Sequence, residues 1–160
     1  MTEQKGYPKK VLFVCLGNIC RSPIAEAVFL HLVTKRNLQG RWEADSAGTG
    51  DWHAGNPPDR RARDVLKKHS VEYNGRARQI RRQDYDTFDY IFGMDNDNIS
   101  DLQGDAPRNC KAKILLLGDY DPEGEKIIRD PYYDSDAVGF EKCFQQCLRC
   151  CTSFLDKETQ

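Results

Sequence analysis

Cys15, Gly17, Asn18, Arg21 and Ser22 fall within one short stretch, CLGNICRS. A thiol, a guanidinium and a flexible turn this close together suit nucleophilic attack on a bound phosphate. Gly and Asn are the residue types most tolerant of positive φ, so the loop can turn its amides inward as an anion nest. A helix with Ser22 as N-cap and Pro23 at its first position adds free amides and a positive dipole end. The Arg21 fork matches two oxygens of a phosphate. Such a cradle favours the thiolate of Cys15, the nucleophilic form of the side chain.

Spacing alone proves little. With seven cysteines and thirteen arginines in 160 residues, chance supplies about 0.6 pairs of the form C-x5-R. The chain contains a second, Cys143 to Arg149 in CFQQCLR. That pair lies inside an amphipathic helical pattern with no glycine, no preceding strand and no free amides, so it reads as packing.

The elements that must position the first pair are legible. KKVLFVCL is a continuous aliphatic run, as in a strand covered on both faces, and it ends on the Cys15 loop. RWEADSAG, FDYIFGMD and KAKILLLGD read as three further strands. Helical patterns lie between and after them: SPIAEAVFLHLVTKRN, PPDRRARDVLKKH with Asp59 as its cap, DNDNISDLQ, and residues 137 to 156. Alternating strands and helices predict an open parallel α/β sheet, whose ligands sit beyond the carboxyl ends of the strands. No linker, repeat or low-complexity segment appears, so residues 1–160 read as a single domain.

Composition narrows the partners. The net charge is -1, from 24 basic and 25 acidic residues, which argues against nucleic acid or an anionic membrane as main partner. Basic residues between Arg60 and Arg82 are interrupted by acids and read as a solvated helix face. The polar start MTEQKGYPKK has no secretory-leader pattern, and no run reaches the roughly 18 apolar residues of a span. An odd number of cysteines predicts reduced thiols in a cytoplasmic protein. His31, His53 and His69 make no ligand spacing with the cysteines, so neither a metal nor another cofactor is called for.

CLGNICRSP after a hydrophobic strand resembles the low-molecular-weight protein tyrosine phosphatases. The similarity continues through DSAG (Asp45 to Gly48), GNPPD (Gly55 to Asp59), FDYIFGMD (Phe88 to Asp95) and DPYY (Asp130 to Tyr133). The resemblance implies a three-layer α/β fold with a four-stranded parallel sheet, order 2-1-3-4, flanked by helices on both faces. It implies that Cys15 forms a phosphocysteine, and that Arg21 and the loop of Leu16, Gly17, Asn18, Ile19 and Cys20 hold the phosphate. Ser22 would assist the thiolate, with Ser46 supporting the loop. Asp130 would be the general acid and then the base, in a loop suited to a mobile acid. Trp52, Tyr132 and Tyr133 would wall the cleft for a phosphotyrosyl ring. Ile19 favours an aryl phosphate, because relatives acting on phosphoarginine tend to carry threonine there.

By the same resemblance, Cys20 would form a reversible disulfide with Cys15 against over-oxidation, and Tyr132 and Tyr133 are candidate phosphorylation sites. Phosphotyrosine proteins and small aryl phosphates are the implied substrates, inorganic phosphate the product, and a monomer the implied state. One position departs. Gly75, in YNGRARQ, stands where many relatives carry a loop-steadying histidine, which predicts a more mobile loop or a substituting water. Two alternatives share the scaffold. Arsenate reduction needs further relay cysteines, typically near the third strand; residues 72 to 100 hold none, and Cys110 stands alone. A redox-regulated phosphotyrosine-binding module would have lost its nucleophile or acid, and both Cys15 and Asp130 are present.

Overall fold

The first strand, β1 (Lys9–Cys15), explains its own aliphatic run. Side chains alternate across a strand, so Val11, Phe13 and Cys15 enter one core while Leu12 and Val14 enter another. A strand buried on both faces cannot alternate polar with apolar. The computed structural model describes residues 8–159. Most of the polar start read for a leader, residues 1–7, lies outside the described residues, as does Gln160.

Around β1 lie α1 (Arg21–Lys35), β2 (Trp42–Gly48), α2 (Arg60–Lys68), α3 (Asp84–Thr87), β3 (Tyr90–Gly93), α4 (Asn96–Asp105), β4 (Lys113–Leu116) and α5 (Val138–Glu158). The sheet is parallel throughout, in the expected order β2-β1-β3-β4. One face carries α1, α2 and α5, packed on Phe13, Phe29, Phe92 and Phe154. The other carries α3 and α4, through Tyr85 and Leu102. Burial of each large aromatic contributes roughly 1.5–3 kcal/mol. Phe154 packs edge-on against Trp42, Tyr90, Phe92 and Tyr120, tying α5 to three strands or their extensions.

The chain leaves β1 for β2 on one side and later for β3 on the other. Cys15 thus ends the strand at the switch point of the sheet, where open α/β folds form crevices. Its register partner is Gly48. A Cβ on Gly48 would lie 2.9 Å from the Leu16 carbonyl oxygen, so the loop can approach β2 only because that residue has none.

Three local readings change. Helix α1 begins at Arg21 with Cys20 as N-cap, and Ser22 caps nothing because its hydroxyl is taken by the site below. The end of KAKILLLGD leaves the sheet as a 3₁₀ turn, Leu117–Tyr120. The basic run is only partly a solvated face: Arg60 is exposed, but Arg61 packs over Phe140 at 4.5 Å and Arg78 joins Asp45 and Asp84.

Candidate active site

The loop after β1 is organised by one buried side chain. Asn18 takes φ 58°, a left-handed conformation that asparagine tolerates. Its Oδ1 accepts the Arg78 amide at 2.9 Å. Its Nδ2 donates to Ser22 Oγ at 2.7 Å and to Ser46 Oγ at 3.0 Å. Ser22 thus receives a proton from Asn18 and is free to turn its own toward Cys15 Sγ, 3.0 Å away. The Asn18 amide donates to the same sulfur at 3.2 Å. The Asn18 amide and the Ser22 hydroxyl thus both face the one sulfur.

Arg21 is 2% exposed and forms the other half of the site. Its Nη1 donates to Asp95 Oδ2 at 2.6 Å and to the Ile128 carbonyl at 3.0 Å, and its Nη2 lies 3.6 Å from Asp130 Oδ2. Burial opposes its charge, but Cys15, Asp95 and Asp130 more than offset this and raise its pKa above the ordinary arginine value. Among the described residues, Arg21 Nε is the only buried side-chain nitrogen or oxygen without a hydrogen-bond partner. An unpaired buried N–H of a cation is costly, and a bound oxyanion would satisfy it.

A cleft of about 280 Å³ opens over these groups. It brings together the predicted Cys15, Leu16, Gly17, Ile19, Cys20, Trp52, Asp130, Tyr132 and Tyr133. Asn18, Arg21, Ser22 and Ser46 lie beneath it, all but inaccessible. Trp52 and Tyr133 stand open at 67% and 90% exposure, and the two tyrosine rings meet edge-on at 4.8 Å. Asp130 Oδ1 accepts the Tyr132 amide at 3.1 Å. Cys20 is buried, and burial, with Asp59 and Cys15 nearby, pushes its thiol pKa up. All seven cysteines are free.

Two arginines contact the loop that carries Asp130. Arg61 reaches from α2, where Asp59 caps the helix as expected, and donates to the carbonyls of Tyr132 and Asp134, both at 2.8 Å. Arg129 clamps the Asp134 carboxylate with two bonds. The sequence reading missed Arg61, and it missed Asp95 too. Asp95 caps α4 by accepting the Asn98 amide while its other oxygen holds Arg21; an aspartate ending a strand before a helix was the available signal. It also missed His53, which lines the cleft, rests on Gly17 and lies 6.0 Å from the Tyr132 ring.

At Gly75, where many relatives carry the loop-steadying histidine, the structure places another side chain. Tyr73 fills the space: a Cβ built on Gly75 would overlap the Tyr73 hydroxyl and ring carbons. That hydroxyl donates to Glu26 Oε1 at 2.8 Å, and Ser46 Oγ donates to the same oxygen at 2.6 Å. The hydrogen-bonded chain from Cys15 through Ser22, Asn18 and Ser46 therefore continues to Glu26 and Tyr73.

The comparisons agree with this geometry. The family model described as low molecular weight phosphotyrosine protein phosphatase matches residues 10–160. A rat protein named low molecular weight phosphotyrosine protein phosphatase is 56% identical over 151 residues, covering 93% of this chain and 95% of its own. The crystal structure of Primo-1 superposes with a TM-score of 0.92 at 50% identity, covering 95% of this chain and 99% of that one. The structure of DARP, a Drosophila arginine phosphatase, gives 0.89 at 43% identity, covering 94% and 98%.

Proposed function

The chain belongs to the low molecular weight phosphotyrosine protein phosphatase family, and on that premise we propose that it hydrolyses phosphotyrosine on proteins, and small aryl phosphates, through a phosphocysteine. The observation that carries this is the pairing of a sulfur faced by two donors, the Asn18 amide and Ser22 Oγ, with a buried Arg21 whose Nε lacks a protein acceptor.

Cys15 Sγ attacks phosphorus, the S–P bond forms and the bond to the phenolic oxygen breaks. Asp130 gives its proton to that leaving oxygen. Arg21 and the amides of the loop from Leu16 to Cys20 take the phosphate oxygens, matching charge with preorganised donors. Water then attacks the phosphocysteine and gives a proton to Asp130. The S–P bond breaks, inorganic phosphate leaves, and the thiolate returns to the Asn18 amide and Ser22 Oγ. No cofactor enters this cycle.

Trp52, Tyr132 and Tyr133 wall the ring, and Ile19 gives the cleft an apolar face suited to an aryl ester. A second substrate class, phosphoarginine, is raised by the likeness to the Drosophila arginine phosphatase; Ile19 favours the aryl reading over it. Seven free thiols support a reducing, cytoplasmic setting, and no described helix is long and apolar enough to cross a membrane. Action as a monomer, built as one domain over residues 1–160, belongs to the same proposal. So do a protective Cys15–Cys20 disulfide and phosphorylation at Tyr132 or Tyr133.

Steady-state assays with p-nitrophenyl phosphate, a phosphotyrosyl peptide and phosphoarginine test the reading. The parent should release phosphate from the first two. Cys15→Ser should be inactive, and Asp130→Ala should lose roughly 10²–10⁴ in rate. Faster turnover of phosphoarginine, or arsenate turnover with a thiol reductant and none of aryl phosphate, would replace it.

A further inference from the structure

We propose that Tyr73 is a positioning residue of the phosphate loop: its hydroxyl fixes Glu26 Oε1 as the acceptor for Ser46, and so keeps Ser46 an acceptor that holds the Asn18 side-chain amide in place beside Ser22 and Cys15. The inference rests on the phosphatase reading of that site.

Glu26 lies on α1 at 8% exposure. The hydroxyls of Ser46 and Tyr73 are its hydrogen-bond partners among the described residues, and both donate to Oε1. Having given its proton to Oε1, Ser46 can only accept from Asn18 Nδ2. Asn18 has two Nδ2 protons; the other goes to Ser22, which leaves the Ser22 proton for Cys15 Sγ at 3.0 Å, with the Ala47 carbonyl farther off at 3.4 Å. Asn18 Nδ2 is thus the shared donor: on one side the protons point through Ser46 to Glu26, and on the other through Ser22 to Cys15. Such a network is only as strong as its end group.

That end group is ambiguous without Tyr73. Burial pushes the Glu26 carboxyl up to about 7, against the pull of Ser46, Tyr73 and Arg78, with Asp45 of β2 adding to the rise. Arg78, on the segment before α3, and Asp45 are the charged groups facing it. Below that pH Glu26 is largely protonated and could present O–H to Ser46, reversing the bond. Ser46 would then have a proton directed at Asn18 Nδ2, which cannot accept one. With Tyr73 donating to Oε1, the proton belongs on Oε2, and Oε1 remains an acceptor in both states. The space for the Tyr73 ring exists because residue 75 has no side chain.

The test is Tyr73→Phe, which keeps the ring and removes the donor. Relative to the parent, kcat for p-nitrophenyl phosphate should fall about tenfold near pH 5.5, the loss of one buried hydrogen bond, and only about twofold near pH 8. Gly75→Ala, which displaces the Tyr73 hydroxyl, should show the same pH dependence. Ser46→Ala cuts the chain, so adding Tyr73→Phe to it should change kcat less than about twofold. An equal loss at every pH, no loss, or an undiminished loss in the Ser46→Ala background overturns the inference. Iodoacetamide alkylation of Cys15, followed by peptide mass, reads the loop without turnover. A parent inactive on aryl phosphate whose alkylation profile still responds to Tyr73→Phe overturns the phosphatase reading and supports the Tyr73 role.

Discussion

Cys15 with Arg21 and Cys143 with Arg149 have identical spacing and opposite fates. Arg149, on α5, is held by carboxylates: Nε and Nη2 bind Asp121 at 3.0 Å each, with Glu123 and Glu125 at 3.4 Å. Cys143 is buried on the same helix, 1% exposed. Arg21 also meets carboxylates, yet it keeps one buried N–H unpaired beside a sulfur that collects donors. A guanidinium whose buried donors are all taken is a strut, whereas one with a buried donor left over is built to hold something absent from the chain. The backbone decides which is which. Within α5 the amides are consumed by the helix, whereas the Cys15 loop, turned by Asn18, has amides to offer.

The contrast should be widest in catalysis. Arg21→Lys replaces a fork by a point charge and should lower kcat/KM for p-nitrophenyl phosphate by about 10²–10³, the cost of losing one oxyanion donor. Arg149→Lys should leave it unchanged within error. Equal losses would mean that the two pairs are not distinguished by their loops.

Stability should reverse the ranking. Asp121 is 7% exposed, and Arg149→Gln leaves its charge buried with a backbone amide of Glu123 but no counter-ion, which should cost about 3 kcal/mol in urea unfolding. A loss below about 1 kcal/mol would demote the strut to an ordinary surface pair.

The smallest effect separates the two regions by pH. Arg149 holds the Asp121 carboxyl below its ordinary value of 3.8, so that contribution is present above about that pH and is lost as pH falls through the folded value. Glu26 runs the other way. Its carboxyl rises from 4.5 to about 7, so the folded state binds the extra proton between those values and stability declines as pH rises through them. The decline should amount to at most about 3 kcal/mol and should vanish in Glu26→Gln. A Glu26→Gln protein that keeps the parent slope from pH 4.5 to 7 would show that Glu26 does not titrate there.

Much of this was written locally. The two-faced burial of β1 follows from its unbroken aliphatic run, and the cradle follows from Gly17, Asn18 and Arg21 between a strand and a helix. Asp59 capped α2 where the sequence placed it. Ser22 shows where local rules stop. Its type and position read as a helix cap, but a hydroxyl that can reach both Asn18 and Cys15 does so, and the helix starts two residues earlier. Arg61, Asp95 and Glu26 left weaker traces, because each is an ordinary charged residue until another element arrives beside it.

The chain order of residue types alone determined the sheet and the turn that carries Cys15, since these depend on hydrophobic period and on the φ tolerance of neighbouring residues. Tertiary structure decided which donors were used up and which were left over. It placed Asp95 and the Ile128 carbonyl on Arg21 and set Arg61 under the acid loop. It also put the Tyr73 hydroxyl into the space above Gly75. Those outcomes depend on distances between segments far apart in sequence, where a shift of an ångström makes or breaks a hydrogen bond.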